Sequence, residues 1–304
     1  MRICVIFNPA ARGEKARRFR RHLDEIGTET TLKLTTAPGD ARRLAAEAVD
    51  EDFETIVAAG GDGTVNEVLN GLGDVRDGFK RARLAVLPLG TVNVFARELR
   101  VPLKLMAAWD SIRQGHEIQI DLPQVQFASN GGSQTRYFAQ LAGAGLDARA
   151  IELVEWELKK RIGPLAYVLA GLHALLGNAS KITAQVDDGQ TAGGGLVLIG
   201  NGRLYGGPFR IFPRADLRDG LLHVCVFPRV NWLTLARCGP PLLLRGRLPA
   251  SAVKMLQAKT VTLTSASRTP MEVDGELLGN LPATFSLAPC QLRVIVPRNL
   301  SWLH

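Results

Sequence analysis

Apolar and polar positions follow two different rhythms along the chain, and the change falls close to Asp121. Before it, short β-branched and apolar runs alternate with segments whose apolar residues stand three and four apart. Ile3–Phe7 reads as a buried strand ending at Asn8-Pro9, residues 14–26 carry helical spacing through Ala16, Phe19, Leu23 and Ile26, and Thr30–Thr35 alternates as a strand. Asp40 is placed to cap a helix reaching Val49, and Thr55–Ala59 is a strand running into a glycine turn. Val65–Leu72 is helical, Leu84–Pro88 is a strand, and Gly90-Thr91 opens a further helix. Such alternation predicts an α/β domain whose mostly parallel sheet is covered by helices on both faces.

After Asp121 the runs shorten, with Gly, Pro and Asp between them. Tyr137–Ala142, Ile182–Val186, Leu196–Gly200, Leu222–Val226, Val261–Thr264, Met271–Val273, Ala283–Leu287 and Leu292–Val296 read as strands of an antiparallel sandwich or barrel. Helical spacing interrupts them at Asp147–Leu176, broken at Gly163-Pro164, and at Val230–Leu244. With the boundary at Asp121–Gln124, the domains are 1–122, α/β, and 123–304, a β-rich antiparallel sandwich. Whether the last strand returns to the first domain is open at this stage.

Composition excludes disordered and fibrous classes: 46% of the 304 residues are apolar, and no biased tract occurs. Cys4, Cys225, Cys238 and Cys290 stand far apart, with neither a CxxC pair nor zinc-ligand spacing, and read as small apolar residues of a reducing, cytoplasmic compartment. Too few apolar residues precede Asn8 for a signal peptide, and the longest apolar stretch, Leu165–Gly177, falls short of the roughly 20 residues of a membrane span. Charge is uneven. Residues 1–122 hold 18 basic and 18 acidic side chains, so the net +8 belongs to the second part, where Arg203–Arg268 contains eleven Lys/Arg and only Asp216 and Asp219. That asymmetry suits an anionic partner, membrane headgroups above all, or simply a solvated basic surface. Nucleic acid is disfavoured by 6% aromatic content and the lack of any binding motif. Trp156–Leu176, where Lys159-Lys160-Arg161 precedes an apolar helix, suits a membrane surface and a core helix equally.

The chemistry gathers at a few turns. Gly60-Gly61-Asp62-Gly63-Thr64-Val65-Asn66-Glu67 ends a strand in glycines and starts a helix, so backbone N–H groups and a helix N-terminus can face an anion. No Gly-Lys-Ser/Thr follows, which excludes a Walker A loop, and the spacing is not GxGxxG. Thr64 and Thr91 offer short hydroxyls at turn-to-helix junctions, suited to phosphate oxygens or to helix capping. Asp216-x-x-Asp219-Gly220-Leu221 is an Asp-Gly turn able to present oxygen ligands to a hard cation. Asp274-Gly275 signals a hairpin, with Glu276 directly after it.

Taken in order, these motifs resemble the diacylglycerol kinase catalytic-domain superfamily, the bacterial, YegS-like lipid kinases above all, over nearly the whole chain. GGDGT alone also resembles NAD kinases and phosphofructokinases. With Pro88-Leu89-Gly90-Thr91-Val92-Asn93, Ile120-Asp121-Leu122, Asn201-Gly202, Tyr205-Gly206-Gly207, Pro213 and Val273-Asp274-Gly275-Glu276, the likeness becomes specific. It implies ATP- and Mg²⁺-dependent phosphoryl transfer to a lipid hydroxyl, the lipid being of diacylglycerol, phosphatidylglycerol or sphingoid type at a membrane surface. ATP would be held by Asn8, Thr35, Gly60, Gly61, Asp62, Gly63, Thr64, Val65, Asn66 and Thr91. Glu276 would be the general base with Asp62 beside it in catalysis, and Asp216, Asp219 and the Leu221 carbonyl would bind metal. One position departs: the family has Asp after the Asn of its second loop, in a polar network with Asp62 and Asp121, and this chain has Val94, for which Asn93 could partly substitute. Other readings are a kinase of a soluble alcohol and a nucleotide-responsive lipid-binding module without turnover. The oligomeric state is open, a homodimer included.

Overall fold

The computed structural model describes residues 2–9, 19, 30–129, 132–153, 181–187 and 189–298. Most of the expected helix over 14–26, and the stretch Trp156–Leu176, lie outside the described residues. The chain divides into two compact units, one running to Leu122 and taking in the chain again from Ala288, the other Pro123–Leu287.

In the first unit the described strands are β1 (Ile3–Phe7), β2 (Thr31–Leu34), β3 (Thr55–Gly60), β4 (Arg83–Pro88) and β5 (His116–Ile120), joined by β20 (Leu292–Val296). Their order is β2-β1-β3-β4-β20-β5, parallel throughout except β5, which runs antiparallel to β20. β1 and β3 are buried at every position, as central strands covered on both faces require. The described helices are α1 (Asp40–Asp50), α2 (Asp62–Asp74), α3 (Gly78–Arg81), α4 (Val94–Glu98) and α5 (Leu105–Gln114). α1 buries Ala41, Leu44, Ala45, Ala48 and Val49, the three-and-four spacing of a one-sided helix. Its cap is Gly39 in a left-handed conformation, and not Asp40, whose carboxylate turns back to accept from Thr36 N and Ala37 N. α2 begins at Asp62, three residues ahead of the apolar periodicity, because polar Asp62, Gly63 and Thr64 form its first turn.

In the second unit, two antiparallel sheets of six strands enclose the core. One has the order β10-β9-β16-β19-β6-β7, built from β10 (Gln190–Gly194), β9 (Ile182–Val186), β16 (Thr260–Ser265), β19 (Ala283–Leu287), β6 (Pro123–Ser129) and β7 (Gly132–Tyr137). The other has the order β15-β14-β11-β8-β17-β18, from β15 (Lys254–Ala258), β14 (Leu222–Phe227), β11 (Leu196–Gly200), β8 (Leu141–Gly145), β17 (Pro270–Val273) and β18 (Glu276–Asn280). A small hairpin, β12 (Leu204–Tyr205) with β13 (Phe209–Arg210), lies apart. Val125, Phe285, Val261 and Ala184 of the first sheet pack with Val197, Val224, Met271 and Val273 of the second. A sandwich follows from that alternation of inward apolar residues. α6 (Leu146–Leu153) follows β8, and α7 (Trp232–Arg245) packs Cys238 and Leu242 on Ile211, Phe212 and Phe227. All four cysteines are free; burial pushes the Cys4 thiol up to about 11 and the Cys225 thiol up to about 12, as suits apolar packing residues.

Candidate active site

The residues expected to hold the nucleotide meet at one edge of the first sheet. Asn8 follows β1, Thr35 follows β2, the glycine turn follows β3 and the Gly90-Thr91 turn follows β4. These four strands are neighbours and parallel, so all four loops leave from carboxyl ends. In open α/β sheets that edge is where ligands bind. Backbone bonds tie the loops together: Asn8 N donates to Ala59 O at 3.2 Å, Thr35 N to Phe7 O at 3.0 Å, and Leu89 N and Gly90 N both to Gly60 O, at 2.9 and 3.2 Å.

The two glycine turns lie back to back. A Cβ on Gly90 would stand 2.5 Å from Gly61 Cα, so the second turn tolerates no side chain at the contact. Asp62 fastens them further: its carboxylate accepts from Val94 N at 3.1 Å and Phe95 N at 3.2 Å, the first N–H groups of α4. α4 thus gets its cap from a distant residue, since Asn93 at its N-cap position makes no side-chain cap bond. Burial raises the Asp62 pKa, and the N–H groups of Val94, Phe95 and Asn93 oppose that rise. Glu67 does for α1 what Asp62 does for α4, accepting from Ala41 N at 3.0 Å.

Neither threonine caps a helix. Gly61 is the N-cap of α2, and buried Thr64 sits in its first turn against Gly60. Thr91 is exposed and lies two residues ahead of Asn93. Val65 and Asn66 are buried in α2, and Asn66 Oδ1 accepts from Asn70 Nδ2 at 3.1 Å. Asn93 does not stand in for the family's missing carboxylate. Its amide closes its own turn, Oδ1 accepting from Gly90 N at 3.0 Å and Nδ2 donating to Gly90 O at 2.7 Å. Val94 is 7% exposed and donates its backbone N–H to Asp62; Asp121 is buried at 8%.

In the second unit, Val273–Glu276 forms a two-residue hairpin turn. Asp274 and Gly275 have φ of 47° and 87°, the left-handed pair that suits the twist of the flanking strands. The Asp274 carboxylate accepts from three backbone N–H groups, Ala139 at 2.7 Å, Gln140 at 3.0 Å and Leu141 at 3.1 Å. Glu272, fully buried, accepts from Gly275 N at 2.7 Å. Glu276 opens β18 half-buried, on a turn held by two carboxylates. Sequence reading missed Glu272, the turn-closing role of Asn93 and the straps made by Asp274 and Glu67. Of these, only Asp274 carried a signal, the Asp-Gly pair.

Asp216, Asp219 and Leu221 lie between β13 and β14. Asp219 Oδ1 accepts from Leu221 N at 2.9 Å, and Oδ2 lies 2.8 Å from Nε2 of buried His223 and 3.2 Å from Asp216 N. Asp216 Oδ1 accepts from Arg218 N at 3.0 Å. Among the described residues no three His, Cys, Asp or Glu side chains cluster for a metal. Two carboxylates of one tight turn do fit a hard cation that keeps several of its waters. No described helix is long and apolar enough to cross a membrane.

Comparison with known proteins agrees with this architecture. The family model for the diacylglycerol kinase catalytic domain matches residues 2–125, and that for the YegS C-terminal NAD kinase beta sandwich-like domain matches 140–296. A diacylglycerol kinase of Staphylococcus carnosus is 32% identical over 97% of this chain and 95% of the relative, and one of Staphylococcus saprophyticus is 31% identical over the same shares. A crystal structure of a diacylglycerol kinase from Bacillus anthracis shares the fold, with a TM-score of 0.70 at 22% identity over 97% of this chain and 96% of that one. With two ordered family models and full-length relatives above 30% identity, the chain belongs to the diacylglycerol kinase family.

Proposed function

We propose that this chain is a lipid kinase that transfers the γ-phosphoryl group of ATP to a lipid hydroxyl of diacylglycerol, phosphatidylglycerol or sphingoid type. The observation that carries the reading is the meeting of Asn8, Thr35, Gly60–Asn66 and Thr91 at the carboxyl ends of four adjacent parallel strands. Backbone N–H groups of the glycine turn and the first turn of α2 bind phosphate oxygens, with the Thr64 and Thr91 hydroxyls beside them. Asp62 acts as a positioning residue, since its carboxylate already holds the N-terminus of α4. Glu276, on its clamped hairpin, accepts the proton of the attacking lipid hydroxyl. Asp216, Asp219 and the Leu221 carbonyl would hold a Mg²⁺ ion in a structural or regulatory role, distinct from the ATP-borne Mg²⁺ that would screen the phosphate charge.

The test uses labelled ATP, Mg²⁺ and a total lipid extract, with the labelled product identified by mass. A phosphorylated lipid is expected, and Glu276→Ala lowers its formation about a thousandfold with an unchanged unfolding temperature. Nucleotide binding without turnover would assign a lipid-binding module instead. Turnover of water-soluble acceptors in place of lipids would assign a soluble-alcohol kinase.

A further inference from the structure

Seven large apolar side chains are exposed among the described residues, and four of them, Trp232, Leu233, Leu235 and Leu244, lie on α7. Leu233 and Leu244 are 75% and 84% exposed and Trp232 is 53% exposed, whereas Cys238 and Leu242 pack inward. Leu233, Arg237, Pro240 and Leu244 stand at i, i+4, i+7 and i+11, one face of the helix. Arg237 apart, the helix therefore carries apolar side chains on its outer side as well as its inner one. A helix of that kind is either buried or lies against an apolar phase.

Charge says which phase. From Gly220 to Met271 the sequence holds seven Lys/Arg and no Asp or Glu. At the end of α7, Arg210, Arg245 and Arg247 line a cleft of about 310 Å³ with Pro208 and Gly246, closed by Arg210 N donating to Gly246 O at 2.8 Å. Among the described residues none of Arg210, Arg229, Arg245 and Arg247 forms an ion pair. Three unpaired guanidinium groups around one cleft suit phosphate oxygens. Within α7, Pro240 and Pro241 have no N–H to give the carbonyls of Ala236 and Arg237. A dry protein interface would leave those carbonyls poorly served, whereas a headgroup layer brings water to them.

We propose that α7 and the Arg210–Arg245–Arg247 cleft form the surface on which this protein lies against a bilayer carrying anionic phospholipid. Trp232, Leu233 and Leu244 enter the interface, and the arginines take the headgroup phosphates. This surface is distinct from every residue assigned above to nucleotide, metal or proton transfer. It also gives the basic second part of the chain a specific task.

The experiment is co-sedimentation of the full chain, without nucleotide, with vesicles of phosphatidylcholine and of equimolar phosphatidylcholine and phosphatidylglycerol. The parent is expected to favour the anionic vesicles by about tenfold or more and to be released by salt. L233S/L244S should weaken that binding about tenfold, and R245E/R247E should remove the anionic preference, at about fivefold per charge. Leu233→Ala, milder and at an exposed position, should fall between parent and double variant, and unfolding temperatures check that all remain folded. Equal binding of parent and both double variants would overturn the proposal, as would indifference to phosphatidylglycerol. A dimer that L233S/L244S dissociates would also overturn it, giving the face to a second copy of the chain. Because no ATP is present, vesicle binding and phosphoryl transfer can fail independently.

Discussion

At the end of β3 the chain turns from a buried parallel strand into a helix, and at the end of β17 it turns from one antiparallel strand into the next. Both turns hold an aspartate whose carboxylate gathers backbone N–H groups from elsewhere: Val94 and Phe95 for Asp62, and Ala139, Gln140 and Leu141 for Asp274. They differ in what else secures them. The β3 turn is fixed by contact, Gly61 against Gly90, so its shape survives on packing as well as on hydrogen bonds. The β17 turn has open space around Gly275 and depends on two carboxylates, Asp274 and Glu272. An aspartate inside a motif is thus read first as a strap on the backbone, and the neighbours it leaves free of that duty become the candidates for ligand.

The likeness breaks hardest at Asp274. Asp274→Ala leaves three N–H groups without their acceptor and places alanine at a φ of 47°, so it should cost about 3 kcal/mol. Asp274→Asn tolerates that φ and keeps part of the acceptor capacity, at about 1 kcal/mol. Urea unfolding separates the two, and a loss under about 1 kcal/mol for the alanine variant would show that the strap is dispensable. Next comes the contact between turns. Gly90→Ala should cost about 2 kcal/mol by forcing Gly61 away, and Gly275→Ala about 1 kcal/mol through its φ alone. Equal losses at both glycines would erase the distinction between a packed turn and an open one.

The smallest effect is the pH response of Asp62. Asp62→Asn keeps one of the two bonds to α4 and should cost about 1 kcal/mol. Burial raises the folded-state pKa of Asp62 above its ordinary 3.8, so between those two values the folded state holds more protons than the unfolded state. Stability of the parent relative to Asp62→Asn is therefore highest below the ordinary value, and falls as pH rises through the raised one. A gap that instead widens with rising pH would mean that the α4 N–H groups outweigh burial.

Much of this was legible in the sequence, and the exceptions have physical causes. Strands buried on both faces, such as β1 and β3, announce themselves as unbroken apolar runs. The sheet-edge strands β7 (Gly-Ser-Gln-Thr-Arg-Tyr) and β10 (Gln-Thr-Ala-Gly-Gly) are largely exposed and carry no such run; their register comes from their partners. β5 (His-Glu-Ile-Gln-Ile), at the edge of the first sheet, is mostly half-buried and likewise carries no unbroken apolar run. At the candidate site, the glycine and threonine positions were readable because each follows a strand. What Asp62, Glu67 and Asp274 touch was not, since their partners lie 26 to 135 residues away. The role of Asn93 escaped for the opposite reason: its contact with Gly90 is local but too common to stand out.

The return of β20 into the first sheet sets an order on biogenesis. β20 pairs with both β4 and β5, so the sheet lacks an interior strand until Leu292–Val296 has left the ribosome. The whole of Pro123–Leu287 is synthesised in the meantime, and β4 waits with an unmatched hydrogen-bonding edge. A chain cut at Leu122 would keep every glycine and threonine of the nucleotide turns yet carry that bare edge as an invitation to aggregate.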